Sequence, residues 1–223
     1  MARKIKRGIL FLSTILLGTT LSAQTDEWKT ATSKNGKVTA KYHFSTRVNE
    51  DGDNVPLVQA ITSTKTDIGI ENCISLMKNV SKHKDFRGEK ISRLIKTVSE
   101  NEWLIYYYDD KRLITPSVDG SYKMILAEDK QNKTVTFTIT ADPTLIKKTD
   151  ASRITYVQEI YSFRELENGQ LEITIKTTAS PGFKVPAILM KKAFPKKLFD
   201  TMEKFIQVSS MEKKENTFQT KTD

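Results

Sequence analysis

From Lys90 to Lys176 the chain reads as strand after strand, joined by links too short for anything but antiparallel neighbours. EKISRLIKTV and NEWLIYYYDD flank the turn-prone residues around Ser99. SYKMILAED and KTVTFTITAD flank the polar link KQN, and RITYVQEIYSFREL meets GQLEITIKTTAS through Glu167–Asn168–Gly169, a strong turn signal. Leu171, Ile173 and Ile175 alternate with Glu172, Thr174 and Lys176, as in a strand with one face buried. This run commits the chain to a large antiparallel sheet, and an apolar sheet face must be covered by another layer.

Ahead of the meander, Val38, Ala40, Tyr42, Phe44 and Val48 alternate with Lys41, His43, Ser45 and Arg47. The turn cluster NEDGDN and the returning VPLVQAITSTKT complete a hairpin. The period then changes. Asp67 is a candidate cap, and Ile70, Cys73, Ile74, Met77 and Val80 predict a helix from about residue 68 to 82, broken by HKDFRGE. After Pro181–Gly182 the residues Phe194, Leu198, Phe199, Met202, Phe205 and Ile206 predict a long amphipathic helix, the natural cover for the sheet. Pro195 should kink or interrupt it near Phe194, and residues 213–223 form a polar, fraying tail.

The first 23 residues read as an export signal. MARKIKRG carries Arg3, Lys4, Lys6 and Arg7, an uncharged apolar run follows, and Ala23 suits cleavage before Gln24. No cysteine sits near the cut, so this is not a lipid-anchored precursor. The formal charge of +9 falls to about +5 when those four basic residues leave, and the excess is spread among acids. Nucleic-acid binding gains little support from so modest a surplus. Residues 24–212 are then one domain, held by packing alone because Cys73 has no partner for an internal disulfide. Export places it in the periplasm of a Gram-negative bacterium.

In NEWLIYYYDD six apolar or aromatic residues stand in a row. Trp103, Ile105 and Tyr107 line one face of that strand and Leu104, Tyr106 and Tyr108 the other, so both faces need cover. The order of elements, with Trp28, Gly36–Lys37–Val38, VSKHKDFRG, WLIYYYDD, Pro116 and GFKVPAILMKKAFPKKLFDTMEKF, resembles the START-like lipid-transfer domains of the helix-grip superfamily over roughly residues 28–208. The resemblance implies an α+β helix-grip fold, a curved antiparallel sheet wrapped around a long C-terminal helix. It also implies a lipid or other apolar molecule bound or transferred in the cavity between them, without catalysis and without a cofactor. KRLITPSVDG departs from the family's usual Pro–Trp–Pro run and later Arg–Asp pair, so no buried arginine is assigned to a head group.

Apolar ligand sites are lined by aromatic and aliphatic side chains with a few polar contacts. The candidate ligand contacts are Trp103, Tyr106, Tyr107, Phe137, Ile139, Tyr156 and Ile173 on the sheet, with Met190, Phe194, Phe199 and Met202 on the last helix. Lys191, Lys192, Lys196 and Lys197 in MKKAFPKK are candidates for transient contact with an anionic membrane. His43 and His83 stand in no metal-ligand spacing, and no nucleophile elbow, phosphate loop or HExxH stretch is present. Two other readings stay open. One is a cell-envelope structural or interaction module with a filled core; the other is a cyclase or hydrolase on the same scaffold.

Overall fold

The structure, a computed structural model, describes residues 27–111, 115–185 and 187–219, with side chains in the last segment described at 190 and 193–211. The expected leader and the cleavage site before Gln24 lie outside these residues, as do the side chains of Lys191 and Lys192. Three strands come first: β1 (Lys29–Thr32), β2 (Val38–Val48) and β3 (Asn54–Thr66). Helix α1 (Ile70–Lys78), a 3₁₀ turn (Val80–Lys82) and helix α2 (His83–Arg87) follow. Next come β4 (Ile91–Ser99), β5 (Glu102–Asp109), β6 (Val118–Asp129) and β7 (Thr134–Ala141). The chain continues through β8 (Ser152–Arg153), β9 (Tyr156–Glu165) and β10 (Leu171–Ser180) to α3 (Ala187–Gln219).

The ten strands form one sheet in the order β1-β2-β3-β10-β9-β7-β6-β5-β4, with short β8 parallel to β6 off that path. The meander expected from Lys90 to Lys176 is present with antiparallel neighbours throughout. The early hairpin joins it where β3 pairs with β10, Thr62 opposite Ile175 and Ala60 opposite Thr177. The path stays open, with β1 and β4 as its edges. Edge β4 carries register shifts between Leu94 and Lys96 and between Thr97 and Ser99, irregularities that discourage pairing with another chain.

The fold is therefore α+β, an antiparallel sheet packed against a long C-terminal helix. Helix α3 lies on α1, α2, β2 and β3. Its Phe205, fully buried, stacks on Phe163 at 5.6 Å between ring centroids and meets Phe86 edge-on at 5.1 Å. Trp103, Phe137 and Phe163 continue the chain of rings across the sheet. Each such ring stabilises the fold by roughly 2–3 kcal/mol through burial, so this end of the interior is closed by packing.

Local expectations differ from the structure at four places. The early helix ends at Lys78 because Asn79 leaves the helical region, and HKDFRG, expected as a break, contains α2 instead. Burial of His83 and Phe86 outweighs the polar composition, and Gly88, at φ 82°, ends the helix in the left-handed conformation. Asp67 does not cap α1, whose N-cap is Gly69; its carboxylate accepts a bond from Gln170 Nε2 at 3.2 Å. Val48 is exposed rather than inward, since it pairs with Asn54 at the hairpin tip. Helix α3 runs on through Pro195 without interruption and continues to Gln219. Proline there removes one backbone bond near the helix start, while Met202 and Phe205 anchor the turns beyond it.

Gly120 has a different task. The Tyr122 ring lies back over it, and a β-carbon at position 120 would stand 2.5 Å from Tyr122 Cζ. Tyr122 is buried, and its ring must leave its packed position for a β-carbon to fit. Gly120→Ala is expected to destabilise the protein by about 1–3 kcal/mol, the usual cost of overpacking, as read by urea unfolding. Gly36→Ala serves as the comparison, because a β-carbon there meets no atom within 4 Å and only the positive φ of 73° opposes it.

Candidate functional site

Away from the ring-filled end, a cavity of about 290 Å³ lies between the inner faces of β3, β5, β6, β9 and β10 and the first half of α3. Val157, Ile175, Ala179, Phe194 and Leu198 give it apolar walls. One wall is polar. Helix α2 ends on Arg87, the left-handed turn at Gly88 brings Glu89 round beside it, and strand alternation aims Glu159 and Tyr161 from β9 and Tyr107 from β5 at the same place.

Arg87 is the hub. Its Nε donates to Glu89 Oε1 at 3.0 Å, its Nη1 to Glu159 Oε2 and to the Tyr161 hydroxyl, and its Nη2 to Glu159 Oε1 at 3.4 Å. The guanidinium plane lies 4.4 Å from the Tyr107 ring centroid, a cation–π contact. Burial opposes the charge on Arg87, yet the carboxylates of Glu159 and Glu89 overcome it and hold the guanidinium charged. Desolvation pushes the hydroxyls of Tyr107 and Tyr161 well above the ordinary tyrosine range, so both stay protonated.

Behind Tyr107 stands His83, fully buried, whose pKa burial lowers to about 3. A neutral imidazole carries one proton. Nε2 faces the Met77 carbonyl oxygen at 2.9 Å and must donate to it, so Nδ1 accepts from the Tyr107 hydroxyl at 2.6 Å. Cys73 is buried too, and desolvation raises its thiol to about 12. No group of three His, Cys, Asp or Glu positioned to hold a metal ion occurs among the described residues. The polar wall can hold and orient a ligand.

A second buried ion pair braces the cavity's rim. Arg153 Nε and Nη2 donate to Asp119 Oδ1 and Oδ2 at 2.6 and 3.0 Å. Thr149 Oγ1 donates to Asp119 as well, at 2.8 Å. Arg153 also donates to the carbonyls of Pro143, Ile146 and Lys147, tying the β7–β8 connection to the start of β6.

Two of the ligand contacts expected from the sequence, Tyr107 and Phe194, line this cavity. Trp103, Phe137, Ile139, Ile173 and Met202 lie in the close-packed core, and Phe199 packs against it. Tyr106 is on the opposite sheet face, its ring under Arg93 and its hydroxyl 3.4 Å from Asp119 Oδ2. Tyr156 is exposed beneath Arg47. Met190 is half-buried and is not among the cavity residues. Lys196 is exposed and pairs with Asp200, while Lys197 lines the cavity and donates to the Arg87 carbonyl. Arg87, Glu89 and Glu159 were not expected. Glu159 left a trace, because it shares the inward phase of Val157, Tyr161 and Phe163.

No family model matches the sequence, and no curated protein does. Solved structures do. A fragment of the STAR-related lipid transfer protein of Xanthomonas axonopodis superposes with a TM-score of 0.66 at 14% identity, over 82% of this chain and 98% of that one. The START-type helix-grip fold is shared. Human StAR-related lipid transfer protein 5 gives 0.63 at 10% identity, over 85% of this chain and 89% of its own. The lipid transfer and protein localization domain of human StarD13 gives 0.60 at 14%, over 82% and 89%. Within the START-type fold, α3 is the element that roofs the cavity, through Phe194, Lys197, Leu198 and Thr201.

Proposed function

We propose that this protein binds and carries a lipid or other apolar small molecule in the cavity between sheet and α3. The cavity carries the reading: about 290 Å³ left open beside an interior that aromatic rings otherwise fill. Apolar walls with polar groups gathered on one side are the usual form of a small-ligand site, and this volume sits near the lower end of such sites. The similar structures add support, since each is named for lipid transfer. The basic and apolar N-terminal segment supports a periplasmic setting.

Native mass spectrometry of the mature protein, purified without detergent from its own periplasm, tests this reading. A stoichiometric apolar adduct, identified after organic extraction, is the expected result. Thr177→Trp, which puts an indole into the cavity from β10, should abolish the adduct while leaving the fold intact. A clean apo mass that also rejects added lipids would instead favour an interaction module of the envelope.

Loading at an anionic membrane through MKKAFPKK is part of the proposal. Reversing Lys191, Lys192, Lys196 and Lys197 to glutamate should cut binding to phosphatidylglycerol vesicles by about a thousandfold, at roughly 1 kcal/mol per basic residue. Unchanged sedimentation with vesicles would remove the lysines from the proposal.

A further inference from the structure

We propose that the ligand is a single-chain apolar molecule ending in a hydroxyl, which donates a hydrogen bond to the wall formed by Arg87, Glu89 and Tyr107. The inference rests on the carrier reading and names the chemistry of its ligand.

A guanidinium has five N–H groups. Arg87 commits four of them, to Glu89, twice to Glu159, and to Tyr161. The Tyr161 hydroxyl turns its own proton towards Glu159 Oε2 at 3.3 Å. The Tyr107 proton is committed to His83 Nδ1, so what Tyr107 has left is an oxygen lone pair. Glu89 Oε2 is the decisive atom: it is buried and accepts no hydrogen bond among the described residues. Glu89 itself belongs to the cavity wall. Of these groups, Glu89 and Tyr107 keep acceptor positions and Arg87 one N–H, while the Lys197 ammonium and the Tyr122 and Thr177 hydroxyls line the cavity around them.

Charge points the same way. Arg87 and Lys197 stand against Glu89, Glu159 and Asp109 around the cavity, and a further pair, Arg153 with Asp119, is closed on itself. An uncharged head leaves that balance as it is. A carboxylate or phosphate head at this wall would add negative charge beside an unpaired carboxylate oxygen. The modest volume favours one chain over two.

The test uses the delipidated mature chain loaded with the neutral dye N-phenyl-1-naphthylamine. Dodecan-1-ol, its methyl ether and dodecanoate compete for the cavity at about pH 8. The alcohol is expected to displace the dye at a concentration at least about tenfold lower than either rival, because a site built around an unfilled acceptor rejects an analogue that lacks the donor. Glu89→Gln keeps one oxygen for Arg87 and sets an N–H where Oε2 stands. It should bring alcohol and ether within about twofold of each other and strengthen dodecanoate. An ether or dodecanoate that equals the alcohol on the wild-type protein would overturn the inference, as would an alcohol preference untouched by Glu89→Gln. The comparison on the wild-type chain needs no variant to fold. Displacement by all three alike leaves the carrier reading standing while this one falls; displacement by none of them removes both.

Discussion

Glu159→Leu will destabilise the protein by about 3 kcal/mol in urea unfolding, Arg87→Met by a similar amount, and the double variant by much less than their sum. Both side chains are close to buried, at 10% and 14% exposure. Removing one partner strands the other's charge in a dry place. Arg87 cannot escape by giving up its proton, because Glu159 and Glu89 hold it charged despite the burial. Glu89 stays behind in Glu159→Leu and softens the loss, which keeps the expected value at the lower end of what broken buried pairs cost. Removing both partners strands only the Glu89 carboxylate, so the double variant loses less than the sum of the two. Small and additive losses would mean that water reaches the pair through the cavity mouth and screens it. The same experiment bears on the proposed ligand contact, since the pair fixes the guanidinium over Tyr107 beside Glu89 Oε2, which accepts no hydrogen bond among the described residues.

The meander was legible because its strands wet one face: Leu171, Ile173 and Ile175 are buried as their alternation required. The aromatic strand followed the same rule, with Trp103, Ile105 and Tyr107 inward and Leu104, Tyr106 and Tyr108 on the other side. What covers that other side was not legible. It is Arg93 from the neighbouring edge strand and the Asp119–Arg153 pair, whose members lie 34 residues apart in sequence. No local pattern announces such a bond.

The position of the cavity was equally hidden. Phe137 and Ile139 on β7 alternate as cleanly as Val157 and Tyr161 on β9, yet only the second pair lines open space. The difference lies in where α3 crosses the sheet, which decides whether an inward side chain meets Phe205 or the gap beside Phe194. The polar wall came from α2, a five-residue helix written in charged letters. Its two core anchors, His83 and Phe86, make sense only once the Phe205 and Tyr107 rings are beside them. An acid in phase with an apolar face, as Glu159 is, is the one signal that sequence reasoning can carry forward to related chains.

His83 will make the protein acid-labile in a way that His83→Gln does not share. Burial lowers its folded pKa to about 3, against an ordinary value of 6.5 for the unfolded chain. Above pH 6.5 both states leave the ring neutral, and His83 gives no slope. Between about 6.5 and 3 the unfolded chain takes up a proton that the folded chain refuses, so stability falls with falling pH at about 1.4 kcal/mol per unit. From pH 7 to pH 3.5 the wild type should therefore lose about 4 kcal/mol more than the variant, as measured by urea unfolding at a series of pH values. Carboxylate titrations are common to both proteins and cancel in the difference. Glutamine can still donate to the Met77 carbonyl and accept from Tyr107, so its cost near neutral pH stays at about 1–2 kcal/mol. Parallel profiles would show that His83 does not sit neutral in the core. A proton forced onto Nδ1 must also break the bond from Tyr107. The folded chain takes that proton only near pH 3, so acid loosens the cavity's polar wall through His83 there and not across the range in which stability falls.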